Sequence, residues 1–314
     1  MRLAALVWLA FTLLAAPAAA LSETVGLLVS GEGGSYAEVT EAIQAELKSQ
    51  PESRVRVAVV GTAAADELAR AGPRLLITVG TRAAQTALRA GDARLPLLSV
   101  LIPRASFEAM LVEARSIEAR AGGVARRVSA VFLDQPAARQ IELIRQALPT
   151  PTRIGVVFGP DSARDRERLQ AAADAKRLNL VAETVTRDTE LFPALQRVMA
   201  DSDAFLALPD PRVVNADTAQ NLLLTSFRMR RPVIGYSSAY VRAGALVAVY
   251  STPAQIGAQA GRIARTVLRG GAMPAPQFPA EFSVSVNRQV ARSLGVEVDD
   301  ESAIRERIAR QERE

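Results

Sequence analysis

Residues 235–239, Gly-Tyr-Ser-Ser-Ala, have the form of the turn that presents a nucleophilic serine in many hydrolases, with Ser237 at the reactive position. Hydrolysis at that serine would need a neighbouring general base, most often histidine. The chain has no histidine, Ala239 replaces the final glycine of the motif, and no helix is predicted directly after it. The sequence therefore predicts that Ser237 is a ligand contact or a turn residue, and a serine hydrolase is the weaker alternative.

Composition excludes other common catalytic and metal sites. Without cysteine or histidine, the chain cannot form an ordinary zinc site, a cysteine–histidine pair or a disulfide. The loop at residues 30–36 has glycines like those of a dinucleotide-binding turn, but Tyr36 occupies the third glycine position. That loop, which begins at Ser30, is expected to turn its backbone N–H groups toward a cleft. We expect no metal and no cofactor.

Further candidate ligand contacts lie in short loops and carry a hydroxyl, a carboxylate or an aromatic ring. Thr81 follows Gly80 at a predicted helix start, where its hydroxyl suits a ligand carboxylate or carbonyl, or only caps the helix. Asp210, between two prolines, either accepts a ligand ammonium or starts a turn. Tyrosine suits small polar or aromatic ligands, and equally suits packing at loop bases. The four tyrosines lie at or near predicted strand ends: Tyr36, Tyr236, Tyr240 and Tyr250.

Alternating apolar and amphipathic segments position these residues. Helical patterns separate the apolar runs, and the spacing of Ser35 and Glu38 predicts a capping box at the first helix. Apolar strands alternating with helices indicate parallel sheets covered on both faces, so the sequence predicts an α/β protein of two similar halves. Ligands of such sheets bind at the carboxyl ends of the strands. The predicted strands are at 24–30, 54–60, 74–80, 95–102, 152–159, 179–185, 204–209 and 232–237.

The N-terminal segment predicts export. Arg2, an apolar run at 3–15 and Ala18–Ala20 have the order of a secretory signal peptide, cleaved near Ala20. Because a lipid anchor would need a cysteine, the mature protein is expected to be free in the periplasm. The formal net charge of +5 is carried by arginines interspersed with acids and not by a basic block, so we expect no nucleic-acid partner.

A series of residues in the second half is typical of one family. In order, these are Pro232-Val233 and Gly244-Ala245 at the openings of two strands, Gly257 in the next helix, Gly270, Asn287 and Leu294-Gly295-Val296. The chain thereby resembles the periplasmic substrate-binding proteins of ABC importers, in the type I branch that includes tryptophan and tyrosine binders. The resemblance covers about residues 130–298 well, and residues 77–88 and 95–100 more loosely.

This resemblance implies two Rossmann-like lobes with parallel sheets, joined by three hinge crossings and closing on a small organic ligand, amino-acid-like or aromatic. The implied boundaries are a signal peptide at 1–20, lobe I at 21–128 and 251–281, lobe II at 129–250 and 282–300, and a charged helix or tail at 301–314. The implied ligand-binding residues are Ser30, Gly80, Thr81, Ser129, Asp210, Tyr236, Ser237 and Tyr250, to which the residue patterns add Tyr36.

The resemblance further implies a monomer without catalytic activity, which delivers its ligand to an ABC permease in the inner membrane. Two segments depart from the family pattern: residues 101–110, where relatives often carry Asp-Pro, and residues 122–136, where they carry Gly-x-Asn-x-Thr-Gly. Because of these departures the identity of the ligand is left open. A role as a sensor that regulates a membrane kinase or cyclase is the alternative.

Overall fold

The structure is a computed structural model that describes residues 23–48, 53–90, 95–120 and 126–313. The predicted signal peptide lies outside these residues. Within them, the apolar runs form two separate sheets of mostly parallel strands, and the amphipathic segments form the helices between the strands. The predicted α/β class with two similar halves is confirmed. No helix in these ranges is both long and apolar enough to cross a membrane.

The first sheet has five parallel strands in the order β2-β1-β3-β4-β5. The strands are β1 (Glu23–Val29), β2 (Ser53–Val59), β3 (Leu75–Val79), β4 (Leu97–Ile102) and β5 (Val128–Phe132). The helices that connect them are α1 (Gly34–Leu47), α2 (Ala63–Arg70), α3 (Thr81–Ala90) and α4 (Arg104–Arg120). Every residue of β3 is buried, as expected for a central strand that is covered on both faces.

The second sheet has six strands in the order β11-β10-β9-β8-β6-β7, and only the pair β10–β11 is antiparallel among them. The strands are β6 (Arg153–Phe158), β7 (Asn179–Thr184), β8 (Ala204–Leu206), β9 (Val233–Gly235), β10 (Val247–Tyr250) and β11 (Ser283–Val286). The helices are α5 (Ala137–Ala147), α6 (Arg166–Ala175), α7 (Asp188–Ala200), α8 (Ala216–Arg228), α9 (Ser238–Ala243), α10 (Pro253–Leu268), α11 (Arg288–Leu294) and α12 (Glu301–Gln311).

Each sheet carries helices on both faces, so each has its own buried core. In the first lobe, α1 and α10 cover one face, and α2, α3 and α4 cover the other. In the second lobe, α5, α6, α11 and α12 cover one face, and α7, α8 and α9 cover the other. Residues 301–311 therefore form a helix that packs into the second lobe, with Ile304 and Ile308 buried.

The chain passes between the lobes three times. β5 lies in the first sheet, α10 returns to pack against α1 in the first lobe, and β11 pairs with β10 in the second. The predicted boundary at residues 128 and 129 falls inside β5, whose residues pair with β4. We therefore propose that the first crossing follows Phe132, the second follows Tyr250, and the third lies between Gln277, which bridges to β5, and Ser283.

The return of α10 to the first lobe depends on two glycines that let the helices approach closely. A Cβ atom added to Gly257 would lie 2.6 Å from the Val39 carbonyl oxygen of α1. One added to Gly261 would lie 2.4 Å from the Glu46 Cβ atom. Because these positions are one turn apart on α10, the two helices are in close contact over at least that turn.

The predictions for the starts of α1 and α9 are wrong. α1 begins at Gly34, with Gly33 at the N-cap and no side-chain cap among the described residues, so Ser35 is already inside the first turn. A capping residue must lie outside the helix, and a Ser35–Glu38 capping box therefore cannot form. After Ser237, where no helix was predicted, the short helix α9 begins at once. Ser237 permits this because its side chain caps that helix.

Candidate functional site

The candidate site is the cleft between the lobes, which contains three adjoining cavities. The first, of about 370 Å³, lies between α4 and the loops after β6 and β8. The second, of about 510 Å³, lies between the start of α1 and the loops after β9 and β10. The third, of about 890 Å³, is an open depression on the first lobe beside residues 30–36. The first two share Asp134, Gln135, Gln140 and Pro209, and the second and third share Ser35, Leu101 and Leu133.

Ser30 lies where β1 ends, and its side chain is hydrogen-bonded to another residue of the first lobe. Its Oγ atom accepts a hydrogen bond from the Ala83 backbone N–H at 2.9 Å. This bond satisfies one of the free N–H groups in the first turn of α3. The Ser30 carbonyl oxygen accepts a second bond from the Arg82 guanidinium. Ser30 lines the third cavity, but its hydroxyl supports α3.

Gly80 and Tyr36 pack against Ser30, so three of the predicted residues lie together. Gly80 has a positive φ of 89°, and a Cβ atom at this position would lie 2.6 Å from Ser30 Oγ and 2.8 Å from the Tyr36 ring. Only glycine fits there without moving both side chains. Thr81 is the first residue of α3 and not its cap. Its exposed side chain lines both the first and the third cavities, where a ligand can reach it.

Tyr236, Ser237 and Tyr250 line the second cavity together. The Tyr236 ring stacks on Tyr240, with ring centroids 5.5 Å apart and an angle of 20° between the planes. Burial raises the pKa of the Tyr236 hydroxyl. The Tyr250 hydroxyl shares a 2.8 Å hydrogen bond with Ser285 Oγ. The two rings thus form fixed walls of the second cavity.

The geometry at Ser237 is that of a helix cap. Its Oγ atom accepts a hydrogen bond from the Tyr240 backbone N–H at 3.1 Å. The chain has no histidine, and its two lysines, Lys48 and Lys176, do not line the second cavity. A helix does follow the serine, as a hydrolase turn requires, but no histidine or lysine lies beside the second cavity to activate it.

Asp210 and Ser129 point into the protein rather than into the cleft. Asp210 is 1% exposed, and its carboxylate accepts hydrogen bonds from the backbone N–H groups of Asp161 and Ser162 and from Ser162 Oγ, at 3.1, 2.8 and 2.8 Å. It also accepts one from the Arg212 N–H at 3.0 Å. These bonds join the loops after β6 and β8. Ser129 has no exposed area and lies within β5.

Two polar side chains that were not predicted face both the first and the second cavities. Gln140, on α5, donates from Nε2 to the Gln135 carbonyl at 3.1 Å, while its buried Oε1 atom has no hydrogen-bond partner within the described part of the chain. Asp134 follows β5, and its carboxylate accepts the Arg104 backbone N–H. Burial, only partly offset by backbone hydrogen bonds, raises the pKa of Asp134. These acceptors are the clearest polar features of the cleft.

An ion-pair network joins the lobes beside the first cavity. Arg104, from the first lobe, pairs with Asp165 of the second. Arg168, from the second lobe, lies 3.6 Å from Glu108 of the first and 3.5 Å from Asp165. Burial and the nearby Arg168 charge lower the pKa of Arg104. In this conformation the lobes are therefore in direct contact. No cluster of three or more potential metal ligands occurs in the ranges described.

Comparisons with known proteins agree with this architecture. The model of a family described as ABC transporter substrate binding protein matches residues 49–306. A search of curated protein sequences found no match.

The solved structures that share the fold at low sequence identity include the following three. A conserved domain protein from Vibrio cholerae O1 biovar El Tor is 22% identical, over 90% of this chain and 97% of its own, with a TM-score of 0.60. An ABC domain from Streptococcus pneumonia, solved in complex with L-Trp, is 19% identical, over 89% and 96%, with a TM-score of 0.61. The ligand-free, open form of a substrate-binding protein with adhesive properties from Clostridium difficile is 17% identical, over 88% and 96%, with a TM-score of 0.68. The predicted family and two-lobed fold are confirmed: the chain belongs to the ABC transporter substrate-binding proteins, with the type I periplasmic binding fold.

Proposed function

We propose that this substrate-binding protein captures a small organic molecule with an N–H donor, in particular an amine joined to an apolar or aromatic body. The observation that carries this proposal is the buried Gln140 Oε1 atom, which lacks a partner among the described residues and belongs to a side chain that lines two cavities. An unpaired buried acceptor costs about 1–3 kcal/mol. A ligand that donates a hydrogen bond to Gln140 would remove this cost.

The surroundings of Gln140 support an amine over a purely acidic ligand. Asp134 adds a second acceptor, shared by the same two cavities. Arg104, the buried cation of the first cavity, is already paired with Asp165. Tyr236 and Tyr250 supply aromatic surface in the second cavity, which suits an apolar or cationic group. The L-Trp in the similar Streptococcus structure has this combination of amine and aromatic ring.

Transport is the role that family membership supports, since these proteins in general bind small molecules and work with ABC permeases outside the cytoplasm. Closure of the lobes on the ligand would form the surface that the permease recognises. We propose a periplasmic location after cleavage near Ala20. A sensor that regulates a membrane kinase or cyclase would use the same cleft with another membrane partner.

The ligand class is tested by thermal melting of the chain from Leu21 onward, with matched pairs of solutes. Each pair compares an amine with its analogue lacking the amine, such as L-tryptophan with indole-3-propionic acid, and sugars and nucleobases complete the panel. A ligand at 100 times its dissociation constant adds about 2.7 kcal/mol to the free energy of unfolding, which is readily detected. Stabilisation by an amine but not by its analogue is expected. Stabilisation only by sugars or by acids without an amine would refute the assignment.

The position of the ligand is tested with Gln140→Leu, which removes the acceptor at similar size. Losing one hydrogen bond of about 1 kcal/mol should weaken binding of the stabilising amine roughly fivefold, measured by calorimetry. The control is Gln196→Leu, an exposed position on α7 that lines none of the three cavities. Equal affinities for both variants would place the ligand elsewhere.

A further inference from the structure

A buried arginine connects the crossing segments to the last helix. Arg139, in the first turn of α5, is 5% exposed. Its Nε and Nη2 atoms donate to the two carboxylate oxygens of Glu312, at 2.6 and 2.8 Å. Its Nη1 atom donates to Gln135 Oε1 at 2.7 Å and to the Pro279 carbonyl at 3.0 Å. Such a paired, two-bond contact between guanidinium and carboxylate is the strongest geometry for this ion pair.

The same hydrogen bonds reach all three crossings. Gln135, just after β5, donates from Nε2 to Ser251 Oγ at 3.0 Å. Ser251, just after β10, donates in turn to the Glu281 carbonyl at 2.6 Å. The guanidinium of Arg139 also lies 4.1 Å from the centre of the Phe282 ring, just before β11. We call Gln135, Arg139, Ser251 and Glu312 the hinge cluster.

We propose that the Arg139–Glu312 pair is a positioning device that sets the balance between open and closed lobes. This inference rests on the proposed function, because it concerns closure on a ligand. Neither residue lines any of the three cavities of the cleft. Gln135, which accepts a hydrogen bond from Arg139, and Ser251, which accepts one from Gln135, do line the second cavity. The pair therefore acts on the ligand only through the crossing segments.

The direction of the effect follows from the conformation in which the cluster is complete. Here the lobes touch through Arg104 and Asp165, and the hinge cluster is fully bonded. Rotation of the lobes moves the three crossings relative to each other, which stretches bonds that converge on one rigid guanidinium. The cluster consequently favours the conformation with touching lobes. Weakening the cluster shifts the ligand-free protein toward the open form. The apparent affinity for the ligand then falls in proportion to the fraction of molecules that remain in the binding-competent conformation.

The test measures the lobe distance directly and needs no ligand. Because the chain has no cysteine, Ala45→Cys and Gln196→Cys supply the only thiols for a pair of spin labels, one on each lobe and both exposed. The ratio of open to closed molecules is read from the distance distribution. Glu312→Gln should raise that ratio at least fivefold, and Glu312→Asp, which keeps the charge on a shorter side chain, should lie between it and the parent. The control is Glu306→Gln, an exposed glutamate on α12.

Each outcome decides one question. A distance distribution for Glu312→Gln that matches Glu306→Gln, with melting temperatures also matching, overturns the inference. A melting temperature that falls while the distribution stays unchanged shows a purely structural pair and overturns it too. If Glu312→Gln does not fold, Glu312→Asp carries the same test. If no amine in the solute panel stabilises the protein, the proposed function is refuted. The distance measurement still stands, because it is made without ligand.

Discussion

Replacing Asp210 by asparagine should destabilise the second lobe even when no ligand is present. Oδ2 of Asp210 accepts three hydrogen bonds from Asp161 and Ser162, and Oδ1 accepts one from the Arg212 N–H. In either orientation of an asparagine amide, its NH₂ group faces at least one of these donors and repels it. A hydrogen bond to a charged group contributes about 1.5–3 kcal/mol. Losing the charge and one such bond should lower the free energy of unfolding by about 2–4 kcal/mol.

The measurement is thermal melting and urea unfolding of the chain from Leu21, without ligand. For a domain of 150–250 residues, about 1 kcal/mol changes the melting temperature by about 2–4 °C, so a fall of roughly 5–15 °C is expected for Asp210→Asn. Asp201→Asn, an exposed carboxylate at the end of α7, is the control and should stay within about 0.5 kcal/mol of the parent.

A parent-like melting temperature for Asp210→Asn, combined with loss of binding of the stabilising amine, would refute this reasoning. It would mean that the carboxylate faces the ligand, as the family resemblance implied. Loss of stability with binding retained by the folded fraction would establish that Asp210 joins the two loops and does not contact the ligand.

Two further predictions concern the first lobe and the first crossing. Gly257→Ala should lower the free energy of unfolding in urea by about 1–2 kcal/mol, because the new methyl group would lie 2.6 Å from a backbone oxygen of α1. Alanine usually stabilises a helix relative to glycine, so a rise in the free energy of unfolding would show that α10 is free to move away from α1. Burial raises the pKa of Asp134 above its unfolded value, so its contribution to stability is present below about pH 3.9 and is lost as the pH rises through the folded pKa. Asp134→Asn should consequently gain stability relative to the parent between pH 4 and pH 7, and a constant difference over that range would contradict the burial of the carboxylate.

The fold and part of the cleft could be predicted because both follow from local patterns. Apolar runs predict strands, and neighbouring parallel strands end at the same edge, so the loop after β1 and the loop after β3 had to meet. Ser30, Tyr36 and Gly80 lie together for that reason. Tyr236 likewise follows β9 and Tyr250 is the last residue of β10, two strands that pair with each other, and both tyrosines reach the second cavity.

The direction in which a side chain points could not be predicted in the same way. Asp210 is turned inward by the loop at residues 159–162, whose Gly159 leaves the space that the carboxylate fills. That loop is distant in sequence, so no local pattern shows it. Asp134 was missed because a crossing segment has neither strand nor helix periodicity, and the resemblance placed the crossing earlier in the chain. Gln140 was missed because it is one of several polar residues of α5, and the sequence does not show which of them faces the cleft. A buried acceptor without a partner is visible only once the fold is assembled.

The return of α10 to the first lobe has a consequence for the order in which the protein folds. Val39 and Ile43 of α1 share a core with Ile256 and Ala260 of α10, and the whole second sheet except β11 lies between them in sequence. While a ribosome is still making the chain, β1 to β5 therefore lack one of their covering helices. Contacts of such large sequence separation form slowly, because a long loop must close first. The first lobe thus remains incompletely folded until α10 has been synthesised, whereas the strands β6 to β10 of the second sheet are already available to pair.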